Sequence, residues 1–140
     1  MLLIAVGPRM KKLFATLIAA SLATPALAIT YPVSGDWTPS TEPEPGPVDC
    51  AGKRVIHFDP FRRFDTGGGV PDYRVINLVH EGDSEFRITE EFHTGQIRAQ
   101  LHYRLRLIDP DRIELALERG GTLKLKRCAS AAAVESSEPN

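Results

Sequence analysis

Leu101-His102-Tyr103-Arg104-Leu105-Arg106-Leu107 decides the fold, because apolar side chains occupy every second position with His102, Arg104 and Arg106 between them. Successive side chains of a strand point to opposite faces, so this stretch buries one face and wets the other. The same period runs through Phe86-Arg87-Ile88-Thr89-Glu90-Glu91-Phe92, with Phe86, Ile88 and Phe92 on one face. Ile113, Leu115 and Leu117 alternate with Arg112, Glu114 and Glu118, and Leu123 and Leu125 with Lys124 and Lys126. Val75-Ile76-Asn77-Leu78-Val79 is apolar on both faces and is expected to be covered on both. Arg54 to Phe58 reads as a short strand, and Gly35-Asp36-Trp37 as the start of the first. The pattern predicts about seven strands and no helix.

The turns are locally specified. Pro110 in Asp109-Pro110-Asp111 presets a turn φ, and the glycines of Arg119-Gly120-Gly121 are free to take positive φ. Thr94-Gly95-Gln96 closes the preceding hairpin. Consecutive strands joined this way make an antiparallel up-and-down meander. Pairing Leu107 with Ile113 and Leu117 with Leu123 brings apolar faces together. Arg106 then faces Glu114, Glu114 faces Lys126 and His102 faces Glu118, pairs that favour this register by about 0.2–1 kcal/mol each.

The composition of the 140 residues, with 42% hydrophobic and 25% charged, excludes collagen-like and wholly disordered chains. Met10-Lys11-Lys12, the apolar Leu13 to Ala20 and the small-x-small Ala26-Leu27-Ala28 read as a signal peptide over 1–28. Its apolar run falls short of the roughly 20 residues of a membrane span, so no span is expected after cleavage. No cysteine follows the cut to carry a lipid anchor, and the protein is expected to be periplasmic or secreted. From Lys53 to Arg127 there are 14 bases and 12 acids, a balance that excludes nucleic acid as a partner.

In an oxidising compartment Cys50 and Cys128 are most simply one structural disulfide. The Pro-rich stretch 38–48 reads as an extended surface connection, since its four prolines lack ladder donors. Residues 29–128 form one domain, and 129–140, small and acidic, a disordered tail. With no helix to cover it, the sheet must bury its own apolar face, closed as a barrel or folded over as a sandwich. The reading is an all-β small barrel, with a β-sandwich as the alternative.

Gly35 and Trp37, in Ser34-Gly35-Asp36-Trp37, resemble the Gly-x-Trp start of lipocalin-like (calycin) barrels, a start shared by the secreted barrels that inhibit bacterial metalloproteases. The resemblance implies that Trp37 plugs the closed barrel end under a basic side chain, with Arg119, Lys126 or Arg127 as its partner. It spans residues 34–128 and carries architecture alone. This chain is shorter than a typical lipocalin, inserts prolines after the tryptophan, and spaces its cysteines more widely than the inhibitors.

No constellation amounts to a catalytic or metal site, and no cofactor is expected. His93 and His102 flank one hairpin beside Glu91, but the reading is exposed histidines on a polar face rather than a metal site. Glu90 falls on the apolar face between Ile88 and Phe92, where a carboxylate would read a ligand or donate a proton. Phe61, Arg62, Arg63 and Phe64 are the candidate binding residues, as a gate at the barrel mouth or an interface anchor; otherwise the phenylalanines cap the core. Asp65-Thr66-Gly67-Gly68-Gly69-Val70 lacks the lysine and helix of a phosphate loop and reads as a flexible loop. The expected function is a non-catalytic exported binding module, acting as a monomer on a small apolar or amphipathic ligand or a protein partner. A protease or lysozyme inhibitor is the alternative, and a small enzyme using Glu90 the next.

Overall fold

The computed structural model describes residues 21–25 and 27–130. Most of the signal-peptide reading and the tail from residue 131 therefore lie outside the described residues. Among those described there is no helix; eight strands close into an antiparallel barrel in chain order. They are β1 (Gly35–Pro39), β2 (Ile56–Phe58), β3 (Arg62–Asp65), β4 (Asp72–His80), β5 (Glu85–Thr94), β6 (Ile97–Asp109), β7 (Arg112–Leu117) and β8 (Thr122–Arg127). Closure is made by β1 against β8, with Trp37 opposite Arg127 and Pro39 opposite Leu125. The barrel leaves no open sheet edge.

The strand beyond the expected seven is β3. Arg62 to Asp65 lacks an apolar alternation because its inward positions are Arg63 and Asp65, while Phe64 turns outward. Val75 to Val79 is also not covered on both faces. Val75 is buried, but Ile76 forms a bulge between the Val75–Glu90 and Asn77–Thr89 pairs, and Val79 is exposed. The Pro-rich stretch begins inside a strand, since Thr38 and Pro39 pair with Lys126 and Leu125.

Leu107 opposite Ile113 and Arg106 opposite Glu114 are as expected. The β7–β8 pairing differs by two residues: Leu115, not Leu117, faces Leu123, and Glu114 faces Lys124. A shift of two leaves every side chain on its face, so the hydrophobic pattern permits both registers. The observed one places Lys126 beside Arg112 under the Pro-rich stretch, where Lys126 Nζ donates to the Glu44 carbonyl (2.6 Å) and Arg112 Nη1 to that of Pro43 (2.7 Å). The stretch is thus strapped across the outer wall of β7 and β8. It ends in the Cys50–Cys128 disulfide, with Cα atoms 5.5 Å apart, next to a bridge between Val48 and Cys128. Ala129, the first residue of the expected tail, donates its amide to the Val48 carbonyl.

The two-residue turn after β5 has Gly95 at φ 61° and no positive φ at Gln96. That is the II′ arrangement, which matches strand twist and suits glycine in its first central position. The core is the barrel interior, filled by side chains from every strand, among them Trp37, Phe58, Ile88, Tyr103, Leu105 and Leu125.

Candidate functional site

The interior carries charge as well as hydrocarbon. Glu90 stands on β5 in the inward row with Ile88, between Val75 and Leu101 on its neighbours, and is wholly buried. A buried carboxylate needs a partner and several donors. Arg63 supplies the partner from β3, donating through Nε to Oε1 (2.8 Å) and through Nη2 to Oε2 (2.7 Å). The hydroxyls of Tyr103 (2.6 Å) and Tyr31 (2.9 Å) both donate to Oε1. Glu90 therefore receives four hydrogen bonds from its own chain.

The ladder of charges continues from Arg63 through Asp65 to Arg54. Arg63 Nη1 lies 4.0 Å from Asp65 Oδ2, and Asp65 accepts from Arg54 Nε (2.9 Å), Arg54 Nη2 (2.6 Å) and the Gly67 amide (2.9 Å). Signs alternate along Arg54, Asp65, Arg63 and Glu90. The Arg63 guanidinium also lies 3.9 Å from the centre of the Tyr73 ring, a cation–π contact. Arg54 packs closely over Gly67: a Cβ there would sit 2.4 Å from Arg54 Cδ and push the arginine side chain aside.

These neighbours shift the titrating groups. Burial, then the Glu90 charge, pushes the Tyr31 and Tyr103 phenols well above their usual range. Burial disfavours the Arg63 charge, but the hydrogen bonds and charge of Glu90 outweigh it and hold the guanidinium protonated. At Asp65 burial again opposes ionisation, and is outweighed by the Arg54 bonds, the Gly67 amide and the two arginine charges. Its carboxyl is held below the ordinary carboxylate range. Such a cluster is an internal counter-ion network. Among the described residues every buried side-chain polar atom has a partner, so the network is closed within the chain.

The four contiguous binding candidates do not share a face. Arg63 is inside, whereas Arg62 and Phe64 point out from β3 and Phe61 stands at its start. Phe61 is 51% exposed and Phe64 38%, so neither caps the core. Around them on the outer wall, His57 lies with its ring centre 6.2 Å from that of Phe64 and pairs through Nδ1 with Asp36 Oδ1 (2.5 Å). Arg62 pairs with Asp72 (3.4 Å) and stands opposite Arg74. His93 and His102 are not brought together: His93 faces Arg98, and His102 faces Thr89, four residues away on β5. Among the described residues no group of three histidine, cysteine or acidic side chains is placed to hold a metal ion.

Trp37 is fully buried and Arg127 lies over its ring at 4.4 Å; Lys126 is under the strap and Arg119 in the β7–β8 turn. Arg127 Nη1 and Trp37 Nε1 both donate to the Ser34 carbonyl (3.1 Å each), which holds the segment before β1 across this barrel end.

Sequence reading placed Glu90 inward but missed Arg54, Asp65, Arg63 as an inward residue, and Tyr31. One signal was available, since an inward carboxylate demands an inward cation. Which arginine answers is not encoded in a local pattern. Tyr31 precedes the strands and shares no period with them.

Fold and interior together define the class: a small closed eight-stranded antiparallel barrel, disulfide-tied, with a filled and internally neutralised core. This architecture is compatible with the lipocalin-like resemblance. No family model, curated protein or solved structure matches the chain.

Proposed function

We propose that this chain is an exported, non-catalytic binding module that meets a protein partner with the outer face of β2 and β3. The observation that carries the reading is the contrast between the two sides of β3. Inside, Arg63 and Glu90 satisfy each other; outside, Phe61 and Phe64 flank Arg62 in water. Aromatic residues, phenylalanine among them, and arginine are enriched at protein interfaces relative to the rest of the surface. The saturated carboxylate of Glu90 supports a structural role for that residue rather than proton transfer. Export is supported by the disulfide and by the leader-like sequence of residues 1–28. Kinship with lipocalin-like barrels is supported by the closed meander and by Arg127 over Trp37.

A photo-reactive phenylalanine analogue at position 61, in the exporting cell, tests this reading. A discrete protein adduct is expected from position 61 and none from position 116, which is exposed on β7. Arg62→Ala with Phe64→Ser should weaken the adduct. Equal labelling from both positions, or none from either, sinks the reading. A secreted hydrolase captured this way would make the partner that of an inhibitor. The denatured mass of the exported protein tests cleavage after Ala28 and the loss of two hydrogens at Cys50–Cys128.

A further inference from the structure

Closure leaves the barrel itself without an edge, but the β5–β6 hairpin overshoots it. β6 pairs with β5 over residues 97–106, whereas its pairing with β7 begins only at Tyr103, opposite Leu117. Among the described residues, no strand therefore lies beside residues 97–102 on the β7 side. The two-residue turn makes Thr94 and Ile97 a hydrogen-bonded pair, so Ile97, Ala99 and Leu101 bond to β5 and the backbone groups between them face away. The His102 carbonyl shows this direction, since it accepts the Glu118 amide (3.1 Å) just past the end of β7. Arg98 and Gln100 thus present two amides and two carbonyls without a ladder partner. Such edges are ordinarily blunted by proline, a bulge or an inward charge. Here the β5–β6 register runs unbroken, the row that continues Tyr103 inward is Leu101, Ala99 and Ile97, and Arg98 is drawn toward Glu91 (3.6 Å).

A groove of about 1010 Å³ opens along this edge. Leu101 and Leu117, packed against the core, give it an apolar lining, and Arg87, Arg104 and Arg119 surround it. Arg87 stands opposite Arg104, and the single carboxylate of Glu81 pairs with both (3.2 Å to Arg104 Nε). Arg119 has no ion-pair partner among the described residues, and Glu118 is the one acid in the lining. The groove is therefore net positive.

We propose that residues 98–102 of β6 receive an extended acidic segment of a partner protein, which adds a strand to the sheet. Main-chain hydrogen bonds to Arg98 and Gln100 supply the fit, and alternate side chains the selectivity. One row of the incoming strand lies beside Ala99 and Leu101 and is apolar. The other lies beside Gln100 and His102, toward Arg104 and Arg119, and is acidic, because opposite charges across strands favour pairing. Two copies of this chain joined by the same edge would bring two positive grooves together, which disfavours self-pairing. β4 and β5 separate this edge from β3, and the inference does not rest on the reading given for the outer face of β2 and β3.

The probes are two end-capped octapeptides, (Glu-Val)4 and (Lys-Val)4, and the readout is amide hydrogen exchange in the oxidised protein. In the free protein the Arg98 and Gln100 amides should be at least tenfold less protected than those of Ala99 and Leu101. Saturating (Glu-Val)4 should slow exchange at Arg98 and Gln100 at least tenfold, and (Lys-Val)4 should not. Gln100→Pro removes an amide that faces the groove rather than β5, so the fold is expected to stand and the protection of Arg98 to vanish. Arg104→Glu with Arg119→Glu leaves the backbone intact and should weaken (Glu-Val)4 binding at least tenfold; it decides the question if the proline variant does not fold. Protected Arg98 and Gln100 amides in the free protein would overturn the open edge, with a second copy as the occupant if protection rises with concentration and the chain's own residues if it does not. No protection by (Glu-Val)4, equal protection by the two peptides, or undiminished binding by the arginine variant would overturn the acidic strand.

Discussion

At the scale of single residues, the Arg63–Glu90 pair is the most consequential contact. Breaking a buried ion pair from one side leaves an uncompensated charge, which costs about 3–5 kcal/mol. Arg63→Leu is therefore expected to lower stability by that amount in urea unfolding. Adding Glu90→Leu to Arg63→Leu should cost much less than Glu90→Leu does alone, with a coupling of about 1–3 kcal/mol. Strict additivity of the two would mean that the residues do not act as a pair. Tyr31 and Tyr103 report on the same cluster. Their raised phenol pKa values favour the protonated, folded form, so their contribution is complete below the unfolded tyrosine value of about 10 and is lost as pH rises above it. In an ultraviolet absorbance titration both should stay protonated until the protein unfolds; ionisation of either in the folded state would contradict its placement. Glu90's inward position was legible from the alternation of Ile88 and Phe92. The inward turn of Arg63 was not, because Phe64 next to it looks like the better core residue.

At the scale of elements, β3 shows how far period alone can mislead. Phe61 before it and Phe64 within it read as either gate or core cap, and the fold leaves both exposed because the inward positions are committed to charge. Exposed substitutions of this kind stay within about 0.5 kcal/mol, whereas emptying a phenylalanine from the core costs about 3–5 kcal/mol. Phe61→Ser with Phe64→Ser should accordingly leave the unfolding midpoint almost unchanged. A large drop would show that the rings pack into the core. The β7–β8 hairpin makes a related point. Its strands and glycine turn were readable, but its register was not, since a two-residue slip preserves both faces. The Pro-rich strap, gripped through its carbonyls by Arg112 and Lys126, distinguishes the alternatives.

For the whole molecule, two terms act on the fold at once. The Cys50–Cys128 bridge spans 78 residues, and the chain-entropy relation gives it an upper figure of about 4–5 kcal/mol. Cys50→Ser with Cys128→Ser should lose a large part of that in urea unfolding, and more than either outer-face phenylalanine. Acid should act through Asp65. Its folded pKa is depressed, so its contribution is complete above the unfolded value of about 3.9 and is lost as pH falls through the folded one. Stability is expected to decline below about pH 4, and Asp65→Asn to flatten that decline in pH-dependent melting curves. An unchanged slope would remove Asp65 from the network.

The sequence by itself determined the strands of period two, the turns between them, the disulfide and the need of one apolar face to be buried, in a barrel or a sandwich. Each of these is written in neighbouring residues or in chemistry with few partners to choose from. Only the tertiary structure decided that β3 exists, that Arg63 rather than Phe64 turns inward, that Tyr31 reaches Glu90 and that Lys126 lies beneath the strap. The physical reason is common to all four. A buried charge or hydroxyl takes its place from what surrounds it in space, and those surroundings come from residues 13 to 82 positions away along the chain.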